Sequence, residues 1–209
     1  MPKLRVGVLV SHNGSNLRAL HRASLEPDAN FEIAAVISNN GGSQGLAYAR
    51  ENQIPTRHLS GKTHPDPDQL DDAIRAMFVE HSVELVVTAG YMKKLGPRTL
   101  KEFSPGIINI HPALLPRFGG VGFFGNRVHQ AVLEAEAQVS GPTIHLVDAE
   151  YDTGEVIAQL EVPVLDDDTV DTLAARVLSA EHILLPAVVR QIAAGQRPHL
   201  FDSGTAVED

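Results

Sequence analysis

The sequence predicts an α/β fold: a Rossmann-like, mostly parallel open sheet of about seven strands, with helices on both faces and one antiparallel strand late in the sheet. Three observations carry that expectation. Short β-branched apolar runs alternate with segments of helical period, the order that a parallel sheet with crossover helices requires. Breaker-rich loops, Gly41-Gly42-Ser43 and Gly61 to Pro67, separate the segments and leave no room for a linker between independent domains. One apolar run, Ile107 to His111, ends on alternate polar residues and then prolines, as a buried strand does when its carboxyl end spills into a rigid loop.

Taken in order, Leu4 to Val10 reads as the first strand, and the loop Ser11-His12-Asn13-Gly14-Ser15-Asn16 leads into a helix whose apolar stripe is Leu17, Leu20 and Ala23. Ile33 to Ser38 is the second strand and Gly45 to Asn52 its helix. Thr56 to Leu59 is a short strand, Gln69 to His81 a helix, and Leu85 to Thr88 a fourth strand. After Ile107 to His111 comes a long loop and a helix from Asn126 to Ala137. Thr143 to Val147 and Val156 to Val164 complete the strands, on either side of the acidic loop Asp148 to Glu155. A helix from Asp171 to Ala194, carrying Leu173, Val177, Ile183, Leu184 and Val188, closes the core, and Pro186 is expected to bend it. The whole of 1–209 reads as one domain of two halves, about 1–100 and about 101–198, with an acidic tail, 199–209, expected to fray.

Composition removes several function classes. Asp and Glu number 26 against 17 Lys and Arg, a net charge of −9, which opposes broad binding to nucleic acid. One small anion remains possible, because backbone N–H groups can hold a phosphate on an acidic protein. With no cysteine there is no disulfide, thiolate catalysis or sulfur-based zinc site, and the ten histidines are scattered without an H-x-x-x-H pair, so no metal is expected. The apolar run Val6 to Val10 is too short for a membrane span or signal peptide, and a cytoplasmic location is expected.

The chemistry is expected at the end of the Ile107 strand. Side chains of a strand repeat every two residues, so Asn109 and His111 share a face, roughly 6.5 to 7 Å apart. An amide donor beside an imidazole suits acyl-group chemistry, the first holding an oxyanion and the second moving a proton. The same pair also reads as a capping amide beside a satisfied histidine. In the first loop, small residues before a helix N-terminus suit a phosphate, with Ser15 and Asn16 as further donors; a plain Ser or Asn helix cap is the alternative. Gly120-Val121-Gly122-Phe123-Phe124-Gly125 matches G-x-G-x-x-G but does not follow a strand directly, which speaks against a nicotinamide cofactor. Asp152, in a turn-forming stretch with Asp148 and Glu150 nearby, by itself reads as an Asx-turn carboxylate.

Four strings together, Gly14-Ser15-Asn16-Leu17, Ala89-Gly90-Tyr91-Met92, Asn109-Ile110-His111-Pro112-Ala113-Leu114-Leu115-Pro116 and Asp152-Thr153-Gly154, resemble the folate-dependent formyltransferases over nearly the whole chain. The phosphate loop resembles that of the branch acting on glycinamide ribonucleotide in purine synthesis. The resemblance implies Asn109, His111 and Asp152 as catalytic residues. It implies that Gly14, Ser15, Asn16, Pro112 and Glu181 bind the ribonucleotide, and that Met92, Lys93, Lys94, Leu95 and Asn109 bind 10-formyltetrahydrofolate, the co-substrate, with no metal. The first half then holds the phosphate, and the second carries catalysis and the folate.

The implied reaction is direct attack of the amine on the formyl carbon through a tetrahedral intermediate, with His111 kept protonated by Asp152. Implied partners are these small molecules, not nucleic acid or membrane, with the chain as monomer or homodimer. Lys93 stands where many relatives have arginine, Pro67 where some place an arginine for the folate's glutamate tail, and His12 where glycine is frequent; the loop Arg117 to Val128 also departs from the commoner short form. Transfer to an amino-sugar nucleotide, or a binding module for phosphorylated metabolites without catalysis, remain as alternatives.

Overall fold

The computed structural model describes residues 2–196; the 199–209 tail expected to fray lies outside them. Leu4–Val10 (β1), Phe31–Ser38 (β2), Thr56–His58 (β3), Leu85–Thr88 (β4), Ile107–His111 (β5), Thr143–Leu146 (β7) and Val156–Gln159 (β8) form one seven-stranded sheet in the order β3-β2-β1-β4-β5-β7-β8. β3, β2, β1, β4 and β5 are parallel, while β7 is antiparallel to both of its neighbours. The sheet therefore contains the one reversed strand expected late in the chain.

Both faces are covered, which explains why the parallel strands are apolar almost throughout. On β1, Val6, Val8 and Val10 point to one side. There they meet Leu17 and Leu20 of α1 (Ser15–Ser24) and Leu184, Leu185 and Val188 of α6 (Val170–Ala193). Leu9 points to the other side, into a cluster with Ile74, Met77 and Phe78 of α3 (Pro67–Glu80) and Phe103 of α4 (Pro97–Phe103). Each fully buried side chain of this size adds about 1.5–3 kcal/mol. α2 (Gln44–Glu51) is capped by the Ser43 hydroxyl, and α5 (Asn126–Glu134) packs on α6 through Val132, against Leu173 and Val177.

Several elements differ from the sequence reading. α3 begins at Pro67, two residues earlier than expected, because Asp66 caps it and proline is favoured at a first helical position. α4 was not expected. It starts Gly96-Pro97, and the Asp71 carboxylate accepts from the N–H groups of Arg98 and Thr99, a cap supplied from α3 across 27 or more residues of chain. α5 stops at Glu134, where Glu136 takes a left-handed φ of 49°. The expected strand Val156 to Val164 is two strands: after β8 the chain turns, and Val162–Pro163 (β9) pairs with Val139–Ser140 (β6) in a separate two-stranded sheet. α6 runs on past Pro186 to Ala193, and Ile183, expected in the core, is exposed because it lies off the buried stripe of Leu184, Leu185 and Val188. The Ser104–Pro105 and Leu115–Pro116 bonds are cis.

Candidate active site

Chain connections leave β1 toward β2 and β4 toward β5, so the sheet changes winding direction between β1 and β4. Open α/β sheets bind ligands at such a point, beyond the carboxyl ends of the strands. A cavity of about 760 Å³ lies there, lined by the loops after β1, β4 and β5, by the glycine-rich loop, by the loop after β7, and by α5 and α6.

β5 brings Asn109 and His111 to the cavity, and the antiparallel register of β7 sets His145 opposite Asn109. The Asn109 amide is fixed on both sides: its Oδ1 accepts from the Thr88 hydroxyl at 2.7 Å, and its Nδ2 lies 3.0 Å from His145 Nε2. His145 Nδ1 donates to the Leu146 carbonyl at 2.8 Å, which leaves Nε2 to accept from Asn109. One Asn109 N–H therefore remains for a ligand.

His111, only 4% exposed, donates from Nε2 to the Phe118 carbonyl at 2.8 Å, and its Nδ1 lies 3.5 Å from Asp152 Oδ2. Burial pushes this imidazole below its ordinary pKa, and the opposing effects of Asp152 and the Phe118 carbonyl do not restore it. The direction of that shift works against the expectation that Asp152 holds His111 protonated at rest. Burial raises the Asp152 carboxyl, but His145, His111 and the Gly120 N–H, 2.9 Å from Oδ2, more than cancel that effect and hold it below the usual carboxylate range. The Asx-turn role belongs to Asp148, whose Oδ1 accepts from the N–H of Glu150 and from the Thr153 hydroxyl, so Asp152 is free to face the histidines. Gly154 makes the turn possible, because a Cβ there would lie 1.8 Å from the Leu146 carbonyl oxygen.

At the other end of the cavity α1 begins without a side-chain cap. Its N-cap is Gly14 at φ 67°, where a Cβ would also lie 2.6 Å from Gly45 Cα, so neither Ser15 nor Asn16 is the cap. The N–H groups of the first turn and the positive end of the helix dipole open toward the cavity. The Asn16 side chain points elsewhere than expected: its Nδ2 donates to Glu181 Oε2 at 2.6 Å, and its Oδ1 is buried without a partner. Burial pushes the Glu181 carboxyl up to about 7, with the Asn16 hydrogen bond opposing.

Tyr91, Met92, Lys93, Lys94 and Leu95 form one wall, with Pro112 also on the cavity surface. The Met92 N–H donates to the Ser11 hydroxyl at 2.9 Å, and that hydroxyl donates to Asn39 Oδ1 at 2.6 Å. Lys94 reaches Glu150 at 2.9 Å and lies over the Tyr151 ring, joining the loop after β4 to the loop after β7. All the site residues expected from the sequence line the cavity. Sequence reasoning missed Thr88, His129 and His145, each of which depends on a neighbouring strand or helix that spacing along one chain does not reveal.

The formyl transferase family model matches residues 4–189. The chain is 42% identical over 192 residues to a chloroplastic phosphoribosylglycinamide formyltransferase of Vigna unguiculata, covering 90% of this chain and 60% of that one. It is 34% identical to a phosphoribosylglycinamide formyltransferase of Haemophilus influenzae, covering 92% of this chain and 88% of that protein. The crystal structure of phosphoribosylglycinamide formyltransferase from Brucella melitensis superposes with a TM-score of 0.85 at 40% identity, over 93% of this chain and 97% of that one. The chain spans less than two thirds of the length of the plant relatives and about a fifth of an avian trifunctional purine biosynthetic protein. A match through β1 to α6, on a sheet that superposes this closely at such identity, makes the chain a member of the formyl transferase family.

Proposed function

We propose that the chain transfers the formyl group of 10-formyltetrahydrofolate to the primary amine of glycinamide ribonucleotide, a step of purine synthesis. The observation that carries this reading is the meeting of Asn109, His111 and Asp152 in one cavity that has an uncapped helix N-terminus at its far end. The cavity volume suits two extended small molecules held end to end, and Met92, Leu95 and Val147 offer the apolar surface that a flat bicyclic ring needs.

On this reading the first turn of α1, with Gly14, Ser15 and Asn16, holds the ribonucleotide phosphate, and Glu181 accepts from its ribose hydroxyls beside Pro112. Met92, Lys93, Lys94 and Leu95 hold the folate. No enzyme nucleophile is needed, since the amine attacks the formyl carbon itself. The free N–H of Asn109 donates to the formyl oxygen as negative charge builds there. His111 Nδ1, too far from Asp152 for a firm hydrogen bond at rest, takes a proton during turnover, with the Asp152 charge stabilising the imidazolium, and passes it to the leaving nitrogen. The charge is made when it is used rather than stored. We further read 1–209 as a single domain, because the apolar cluster on one face of the sheet draws on residues from Val6 to Val189.

The test is a spectrophotometric assay of purified protein with 10-formyltetrahydrofolate and glycinamide ribonucleotide, run beside an amino-sugar nucleotide as the competing amine. Turnover only with the ribonucleotide supports the proposal. Turnover only with the amino sugar replaces the substrate, and binding without turnover of either amine replaces the activity with a binding role.

A further inference from the structure

His129 lies on α5, one turn before Val132, which packs on Leu173 and Val177 of α6. The same helix α6 supplies Ala174, Leu178 and Glu181 to the cavity wall, so His129 is held on the α6 side of the site, the side of the amine-bearing substrate. The residue is 5% exposed and lines the cavity, yet its Nδ1 is buried with no hydrogen-bond partner. A buried imidazole nitrogen without a partner is costly. The reaction as described above gives this side chain no task.

The reaction has an unfilled role on that side. When the amine attacks, the new C–N bond leaves a positive nitrogen that must lose a proton, while the nitrogen departing from the formyl carbon must gain one. His111 serves the second need, with Asp152 beside it favouring its charged form. Of the other titratable groups facing the cavity, His145 is bonded to Leu146 and Asn109, Asp152 to Gly120, Glu181 to Asn16, Lys94 to Glu150 and Asp148 to Thr153, while His12, Tyr91, Lys93 and Tyr151 lie on the loops after β1, β4 and β7. We infer that His129 takes the proton from the attacking amine, so that two imidazoles of one cavity divide the acid and base work between them.

The electrostatics agree with the geometry. Burial, and then the charge of His111, keep His129 below the ordinary imidazole value, and it has no carboxylate counterpart to Asp152. The two rings sense each other, so a charge on His111 keeps His129 neutral and ready to act as a base. Environments that push two titratable groups apart in this way divide acid from base. The proton balance closes. His129 gains one proton as the C–N bond forms and returns it to solvent, while His111 takes one from solvent during the same turnover and gives it to the leaving nitrogen as the old bond breaks.

This inference rests on the formyl-transfer reading, and the experiment separates the two. Parent protein, His129→Gln and His129→Ala are assayed with 10-formyltetrahydrofolate and glycinamide ribonucleotide from pH 5 to 9, with added imidazole as the rescuing base. No turnover by the parent overturns the activity itself. The expected result is a kcat about 10²-fold lower in both variants, with KM for each substrate within about threefold and partial recovery of His129→Ala by imidazole. The acid limb of the parent kcat profile should also be lost in His129→Gln. A kcat within about threefold of the parent, an unchanged acid limb, or a loss confined to KM overturns the inference. Should His129→Ala fail to fold, His129→Gln, which keeps polarity and most of the volume, decides it by the same profile.

Discussion

Asn109 is held by two neighbours that leave it little freedom: Thr88 on β4 fixes its carbonyl and His145 on β7 takes one of its N–H groups. A donor fixed in this way needs no reorganisation when charge develops, which is why one such group can contribute about 3–4 kcal/mol to a barrier. Asn109→Ala is expected to lower kcat by ~10²–10³-fold with little change in KM, read from steady-state rates at saturating concentrations of both substrates. A variant that keeps its kcat would remove Asn109 from the chemistry.

Glu181 gives a second expectation at this scale. The free side chain titrates at 4.5 and the buried one at about 7. Below both values each state is protonated. As pH rises between them the unfolded chain ionises while the native one holds its proton, so stability falls, by about 3 kcal/mol at most once pH passes 7. Urea midpoints of the parent should decline from pH 5 to pH 8 more steeply than those of Glu181→Gln, and parallel curves would show that Glu181 ionises normally. Asn109 and His111 could be paired from the sequence because they share one strand. His145 could not, since its place opposite Asn109 is a register between strands 36 residues apart.

Among the elements, the glycine-rich loop does more than flank the cavity. The Phe118 carbonyl holds His111 and the Gly120 N–H holds Asp152, so one loop orients both groups through its backbone alone. Side-chain patterns carry no record of such bonds. The turn after Asp152 is as exacting. Gly154→Ala drives a methyl group into the Leu146 carbonyl and is expected to cost ~1–3 kcal/mol, a drop of a few degrees in Tm, with a fall in kcat as Asp152 moves. A Tm within a degree of the parent would mean that the loop yields freely. The strands and long helices were legible because their apolar periods are strong. β6, β9 and α4 were not: two of them are two residues long, and α4 depends on a cap lent by Asp71.

For the whole molecule, the fold class followed from the alternation of strands and helices, and the reversed strand β7 is what sets His145 opposite Asn109 at the crevice. Glu181 of α6 meets Asn16 of α1, and α6 packs against the same core as α1.

The Ser11 hydroxyl stands at the root of the loop that leads to Gly14 and takes the amide of Met92 from the loop that forms the opposite wall. Whatever stills one of these loops therefore lowers the entropic cost of stilling the other. Calorimetric titrations should show each ligand tightening its companion by one and the same factor, whichever is added first, because linkage between two sites is reciprocal. Ser11→Ala should bring that factor close to unity while sparing each separate affinity, and a chain whose two ligands ignore each other from the outset would show the hydroxyl to be a local brace and nothing more.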